Sequence, residues 1–178
     1  MRPSVHHIHR HEPRRATSWR TLIYDFPYEI EIRTLEPQDT AVVRRGIVSD
    51  ELTSWAAGVF GTIAAHLQRI NVPTTGDPFV LYLERGEHNE VEAGFPVAER
   101  ITAKDEVRFS SLPGGPAITT WHRGHPEDIG DAFEAIDAWL QRQAAEATAP
   151  PWVIHHPDPD AEPGDASWMS EVVQPYRE

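Results

Sequence analysis

Histidines, tryptophans and a single late carboxylate carry most of the chemistry that this sequence of 178 residues could perform. His6, His7, His9 and His11 lie close together near the start, and His155 and His156 are consecutive. Imidazole is a good ligand for Zn²⁺ or Ni²⁺, but neighbours on a strand point to opposite faces, so His155 and His156 cannot share an ion. The early cluster has no framework to fix a tetrahedral geometry and is expected to take up metal only adventitiously. Neither a metal site nor a cofactor is expected. His122 reads as part of a strand-to-helix turn, with no Ser/His/Asp set around it. Glu171 is the acid best suited to hydrogen-bond a ligand amine or position a water. Tyr82, Phe95, Trp121 and Trp168 are the rings suited to stack on a planar molecule. Gly-rich phosphate loops, H-E-x-x-H helices and G-x-S-x-G elbows are absent, which leaves nucleotide hydrolysis, zinc proteolysis and α/β-hydrolase chemistry without support.

The composition narrows the classes further. Twenty-eight acidic residues against 16 Lys and Arg give a formal charge of −12, which repels phosphate and argues against direct nucleic-acid binding. Hydrophobic residues at 39% and charged residues at 25% suit a folded chain with one core. No apolar run approaches the roughly 20 residues of a membrane span, and the start is polar where a secretion signal is apolar, so a cytoplasmic protein without membrane contact is expected. The absence of cysteine excludes disulfides and thiolate chemistry.

Residues 1–27 show no apolar periodicity and read as a mobile arm whose docking handle is Trp19, ahead of one domain over 28–178. Tyr28, Ile30 and Ile32 alternate with Glu29, Glu31 and Arg33 as a half-buried strand would, and Thr40–Arg45 returns to complete a hairpin. Ser49 and Asp50 are good N-caps for an amphipathic helix whose stripe runs through Leu52, Trp55, Val59, Phe60, Ile63, Leu67 and Ile70. Strands follow at Phe79–Leu83 and Val91–Val97. The order then recurs: a strand at Val107–Leu112, a turn at Pro113–Pro116, a return strand at Ala117–His122, and a helix striped by Ile129, Phe133, Ile136, Trp139 and Leu140. Two strands close it, near Trp152–His156 and Trp168–Gln174.

A shift of 73 places aligns Phe60, Ile63, Ala65, Leu67, Gln68, Arg69, Thr75 and Pro78 with Phe133, Ile136, Ala138, Leu140, Gln141, Arg142, Thr148 and Pro151, all identical. Such a match predicts two similar halves, 28–97 and 107–175, packed about a pseudo-twofold axis, with the cleft on that axis as the ligand site.

Particular residues carry a family likeness. Leu112-Pro113-Gly114-Gly115-Pro116-Ala117 followed by His122-Arg123-Gly124-His125, the helix Phe133-Glu134-Ala135-Ile136-Asp137-Ala138-Trp139-Leu140, and the closing Ser170-Glu171-Val172-Val173-Gln174-Pro175 resemble the gyrase-inhibitor-like (GyrI-like) effector-binding family. That family also supplies ligand-binding halves of AraC-type and MerR-type regulators. The resemblance implies an α+β fold of two tandem β-α-β-β units, with antiparallel strands, two long helices outside and an aromatic-lined central cleft. It also implies a carboxylate two residues before a tyrosine on the strand near Trp152–His156, where this chain has Val153 and His155. Strand alternation directs Val80, Tyr82, Val153 and His155 to the pocket and Phe79, Leu81, Leu83 and Ile154 to the helices.

Ligand-binding residues are therefore expected at Tyr82, Phe95, Trp121, Val153, His155, Trp168 and Glu171. The leading function is a stand-alone protein that captures or senses hydrophobic aromatic drugs or metabolites. Without a floor carboxylate, a neutral or anionic aromatic ligand is favoured. Two alternatives stay open. Relatives that open reactive electrophiles with water suggest a hydrolase using Glu171, and the acidic surface suggests an inhibitor that occupies a DNA-binding enzyme.

Overall fold

The computed structural model describes residues 28–157 and 168–178; the arm over 1–27 and the Pro/Asp-rich loop lie outside the described residues. The strands are β1 (Glu31–Leu35), β2 (Gln38–Val48), β3 (Phe79–Glu84), β4 (His88–Pro96), β5 (Arg108–Leu112), β6 (Gly115–Arg123), β7 (Glu146–Ala147), β8 (Trp152–Pro157) and β9 (Trp168–Arg177). The helices are α1 (Ser49–Arg69) and α2 (Gly130–Arg142), the latter preceded by a 3-10 turn at Pro126–Asp128. Each half therefore reads β-β-α-β-β, the order that periodicity predicts and one strand more than the β-α-β-β unit implied by the resemblance, with β7 as an addition. Among the described residues no helix is long and apolar enough to cross a membrane.

All principal strands join one antiparallel sheet in the order β1-β6-β9-β8-β3-β4-β2-β5, and β7 pairs with β9. The hairpins expected of β1 with β2 and of β5 with β6 do not form, whereas β3 pairs with β4 and β8 with β9. β1 pairs with β6 and β5 with β2, so each half gives its first strand to the far edge of the other. The chain between β1 and β2 passes so close to that between β5 and β6 that a Cβ on Gly114 would lie 2.7 Å from Pro37 Cδ and 2.9 Å from the Leu35 carbonyl oxygen. Glycine is needed there for lack of room.

Alternation divides the sheet's side chains between two faces. Val42, Phe79, Leu81, Leu112, Ala117, Trp152 and Val173 form one buried cluster. β2 and β6 stand five places apart in the order, about 24 Å if the sheet were flat, so their meeting in one cluster requires the sheet to curl. The fold is thus α+β, a curled antiparallel half-barrel with two helices. Val80, Tyr82, Val91, Ala93, Val153 and Val172 face the other way, against Leu52 and Ala56 of α1 and Phe133 and Ile136 of α2. Ile63 and Leu67 of α1 are buried against Ala41 and Val43 of β2. Each such fully buried aliphatic side chain contributes about 1.5–3 kcal/mol.

Two expectations need correction here. Phe79, Leu81, Leu83 and Ile154 face the inside of the curl, away from both helices, which lie on the same side as Val80 and Val153. Ile32 is 66% exposed, because β1 is an edge strand beyond the reach of helical cover.

Candidate functional site

A cavity of about 630 Å³ opens between α1 and α2, within the size range of drug-binding pockets. The floor is Val80 and Tyr82 of β3 with Val153 and His155 of β8, adjacent strands on which Val80 and Val153 are direct cross-strand partners. Leu52, Ala56 and Phe60 of α1 form one wall; Ile129 and Phe133 form the other. Phe60 and Phe133, 73 places apart, were read from sequence as core stripe; both line the cavity.

The walls are held by contacts that sequence reasoning missed. Val48 occupies the N-cap position of α1 and its first helical residue is Ser49, so the anticipated capping by Ser49 or Asp50 gives way to a different tether. Ser49 Oγ donates to the Gly86 carbonyl at 2.6 Å, and its backbone N–H donates to the Glu87 carbonyl at 3.0 Å. Buried Asn89 donates from Nδ2 to Ser49 Oγ at 3.0 Å and accepts the Gly86 N–H at 3.1 Å. The start of α1 is thereby tied to the β3–β4 turn. On the second wall, His122 Nε2 donates to the His125 carbonyl at 3.1 Å, leaving Nδ1 to accept the Tyr28 hydroxyl at 3.0 Å. His122 thus organises the turn into α2, as the sequence suggested. Burial, with the charges of Asp131 and Asp128, pushes the Tyr28 phenol up.

The floor is uncharged. Burial, with some help from neighbouring His156, pushes the His155 imidazole down to about 4, and burial pushes the Tyr82 phenol up to about 12. Tyr82 packs edge-on to Phe133 at 5.2 Å between centroids. Charge is concentrated higher up, where Asp50, Glu127, Glu134 and Asp137 line the cavity with Arg85 as the cation among them. Arg85 lies 4.3 Å above the Phe133 ring and 3.4 Å from Asp137, reaching from the end of β3 to α2.

Of the residues expected to bind ligand, Tyr82, Val153 and His155 line this cavity. Phe95 does not; it packs edge-on to Phe60 at 5.8 Å and supports that wall from behind. Glu171 and Trp121 lie on the opposite face, because their strand positions share parity with Val173 and Ala117. There Glu171, its side chain 6% exposed, pairs with Arg33 and lies 3.1 Å from His156 Nε2. His156 Nδ1 is 2.6 Å from Asp77, and the Trp121 ring lies tilted at 38° to the His156 ring with centroids 5.1 Å apart. Glu171 is neither a lining residue of this cavity nor an exposed strand carboxylate; it is a buried carboxylate on the inner face, between the partly exposed Arg33 and His156. Trp168 opens β9, and its side chain lies outside the described residues. Among the described residues no group of His, Asp and Glu could hold a metal ion.

Several solved structures share this fold. The C-terminal domain of EcmrR is similar with a TM-score of 0.74 at 18% identity, covering 86% of this chain and 99% of that domain. EcmrR in its complex with DNA is similar with a TM-score of 0.73 at 18% identity over 85% of this chain, and this chain spans 58% of that longer one. SAV2435 bound to tetraphenylphosphonium is similar with a TM-score of 0.56 at 10% identity, covering 84% of this chain and 94% of that one. A hydrolase from Listeria innocua is similar with a TM-score of 0.56 at 10% identity, covering 89% and 96%. No curated protein matches. At these identities the structural likeness shows the fold, but the sequence itself matches a family across residues 28–177, nearly all of what the structure describes. The chain therefore belongs to the GyrI-like small molecule binding domain family.

Proposed function

We propose that the cavity between α1 and α2 captures hydrophobic aromatic molecules of drug size and releases them unchanged. The observation that carries this reading is the contrast within one 630 Å³ space: an uncharged floor of Val80, Tyr82, Val153 and His155 beneath a mouth holding four carboxylates. Rings fit the floor, where burial of each 100 Å² of apolar surface contributes about 2.5 kcal/mol before the losses of association. A positive group on the ligand finds Asp50, Glu127, Glu134 and Asp137 at the mouth; each exposed pair contributes up to about 1 kcal/mol. An anionic ligand meets repulsion there, which removes it from the sequence-based expectation. That SAV2435 binds tetraphenylphosphonium on the same fold supports a ligand of this size and apolarity.

The two halves are read as a duplication about an axis between Val80 and Val153. Exchanging β1 with β5, β2 with β6, β3 with β8 and β4 with β9 reverses the strand order and leaves it the same. The cavity would then sit on the axis, where two equivalent walls meet.

The test is titration with a neutral polyaromatic compound followed by tryptophan fluorescence, with the compound recovered and weighed by mass spectrometry. Micromolar binding with unchanged recovery is expected. Consumption of the compound would establish the hydrolase reading in its place, and absence of binding to any aromatic probe would overturn both.

A further inference from the structure

The cavity floor has two ends, and each carries a polar group with nothing bonded to it. Val80 and Val153 face each other at its centre on antiparallel strands, so Tyr82 lies two residues beyond Val80 in one direction and His155 two residues beyond Val153 in the other. Tyr82 and His155 are 73 places apart in the chain, as are Phe60 and Phe133, and the contacts follow the same exchange. Tyr82 packs on Phe133 of the second half, with ring centroids 5.2 Å apart, and His155 on Phe60 of the first, 6.1 Å apart. Each end of the floor is thus a strand ring backed by a helix phenylalanine.

Among the described residues, neither the Tyr82 hydroxyl nor the His155 imidazole has a hydrogen-bond partner, although Tyr82 is only 8% exposed. Buried polar side-chain atoms sealed off without a partner are found at Thr40, His66, Thr119 and Ser170. Tyr82 and His155 are not of that kind: their polar atoms open on the cavity that the two residues line. Neither is charged at neutral pH, because burial raises the phenol to about 12 and lowers the imidazole to about 4. The phenol can donate and accept, and a neutral imidazole offers one N–H and one lone pair. A hydrocarbon laid along the floor would cut both off from water and leave them unpaired, a cost that a ligand with matching oxygens avoids.

The separation sets the ligand's length. Four residue steps along the strands at about 3.4 Å and one strand spacing of about 4.8 Å put the two Cα atoms roughly 14 Å apart. Side chains stand upright from a sheet, so subtracting two hydrogen bonds of about 2.8 Å leaves roughly 8–9 Å between the ligand's polar atoms. Two aromatic rings joined end to end, with an oxygen on each far carbon, span about that distance.

We propose that the cavity selects neutral two-ended aromatic molecules, with a hydroxyl or carbonyl oxygen at one end bonded to Tyr82 and another at the far end bonded to His155. The proposal rests on reading the cavity as the ligand site and names the chemistry of the ligand.

The probes are biphenyl, 4-hydroxybiphenyl, 4,4′-dihydroxybiphenyl and the isomer 2,2′-dihydroxybiphenyl, whose oxygens lie beside the bond between the rings. Binding to the full-length protein at pH 7 is read by calorimetry and by displacement of a neutral solvatochromic naphthalene dye. Affinity should rise at least threefold with each hydroxyl along the 4,4′ series, and the 2,2′ isomer should bind at least threefold more weakly than the 4,4′ compound. Tyr82→Phe and His155→Phe should each abolish the gain from one hydroxyl, read as the ratio of 4,4′-dihydroxybiphenyl to biphenyl affinity within each variant. Biphenyl binding with no gain, with a gain that stops at the first hydroxyl, with equal affinity for the two isomers, or with a gain that survives in both variants would overturn this inference and keep the cavity as a ligand site. Failure of all four compounds to bind would overturn the ligand reading itself.

Discussion

Val80 and Val153 face each other across the β3–β8 pair at the centre of the cavity floor. Placing a carboxylate at this point with Val153→Glu should convert a floor without charge into one that selects lipophilic cations. The empty variant should melt several degrees lower, since an acid buried without a partner has its pKa raised and destabilises the fold. Adding tetraphenylphosphonium should restore more stability to the variant than to the unaltered protein. Differential scanning fluorimetry with that cation and a neutral analogue reads both effects, and equal cation affinity in the two proteins would remove Val153 from the site.

His155 makes the protein sensitive to acid in a defined window. Its imidazole is held at about 4 in the fold against about 6.5 in the unfolded chain, so between these values the unfolded state binds more protons. Its contribution is complete above pH 6.5 and shrinks as pH falls towards 4, by up to roughly 3 kcal/mol. Across mildly acidic conditions the folded site stays neutral, and dye affinity should hold nearly constant between pH 5 and 7. His155→Phe should flatten the stability profile over the same range in urea titrations; an unchanged profile would mean that His155 is not held neutral by the fold.

Glu171 is a stability residue by position. Glu171→Gln keeps the shape but removes the charge between Arg33 and His156, and should lower the free energy of unfolding by about 1–3 kcal/mol. Dye affinity should change less than twofold, because the sheet separates Glu171 from the cavity. Loss of binding with stability intact would contradict the inner-face placement.

Arg85 spans part of the mouth by lying on Phe133 beside Asp137. Arg85→Ala should open that route and make the mouth more acidic. Stopped-flow release of a bound neutral dye should become about two- to tenfold faster with little change in melting temperature. A slower release would show that Arg85 props the mouth open.

The periodicities that sequence exposes are those of faces. The stripe from Ile63 to Leu67 and its counterparts Ile136 and Leu140 are buried, and Val80, Tyr82, Val153 and His155 share a side, as alternation requires. Partners are another matter. Period two tells which residues share a face but not which strand lies alongside, so the first two strands of each half read as a hairpin where the chain exchanges β1 and β5, while β3 and β4 pair as their shared turn suggests. The same limit misplaced Glu171, whose Arg33 partner lies 138 positions away and is brought to it only by β1 joining β6. The mouth was legible in principle. Glu134 and Asp137 lie one and four positions after Phe133, within the arc of α2 that turns to the cavity, but a polar residue beside an apolar stripe reads equally well as solvated surface.

The exchange of β1 and β5 makes the two halves mutually incomplete: cut between Val97 and Val107, neither fragment could supply the outermost strand of its own sheet. Each would carry the strand that the other lacks. Fragments ending and beginning at that connection should therefore remain separately unfolded yet assemble on mixing, held by the β1–β6, β5–β2 and β3–β8 ladders together. The intact chain should then unfold in one transition, with no state in which a single half survives. Circular dichroism of each fragment alone and of the equimolar mixture reads this complementation, and the ligand cavity, whose floor takes one strand from each half, should reappear only in the mixture.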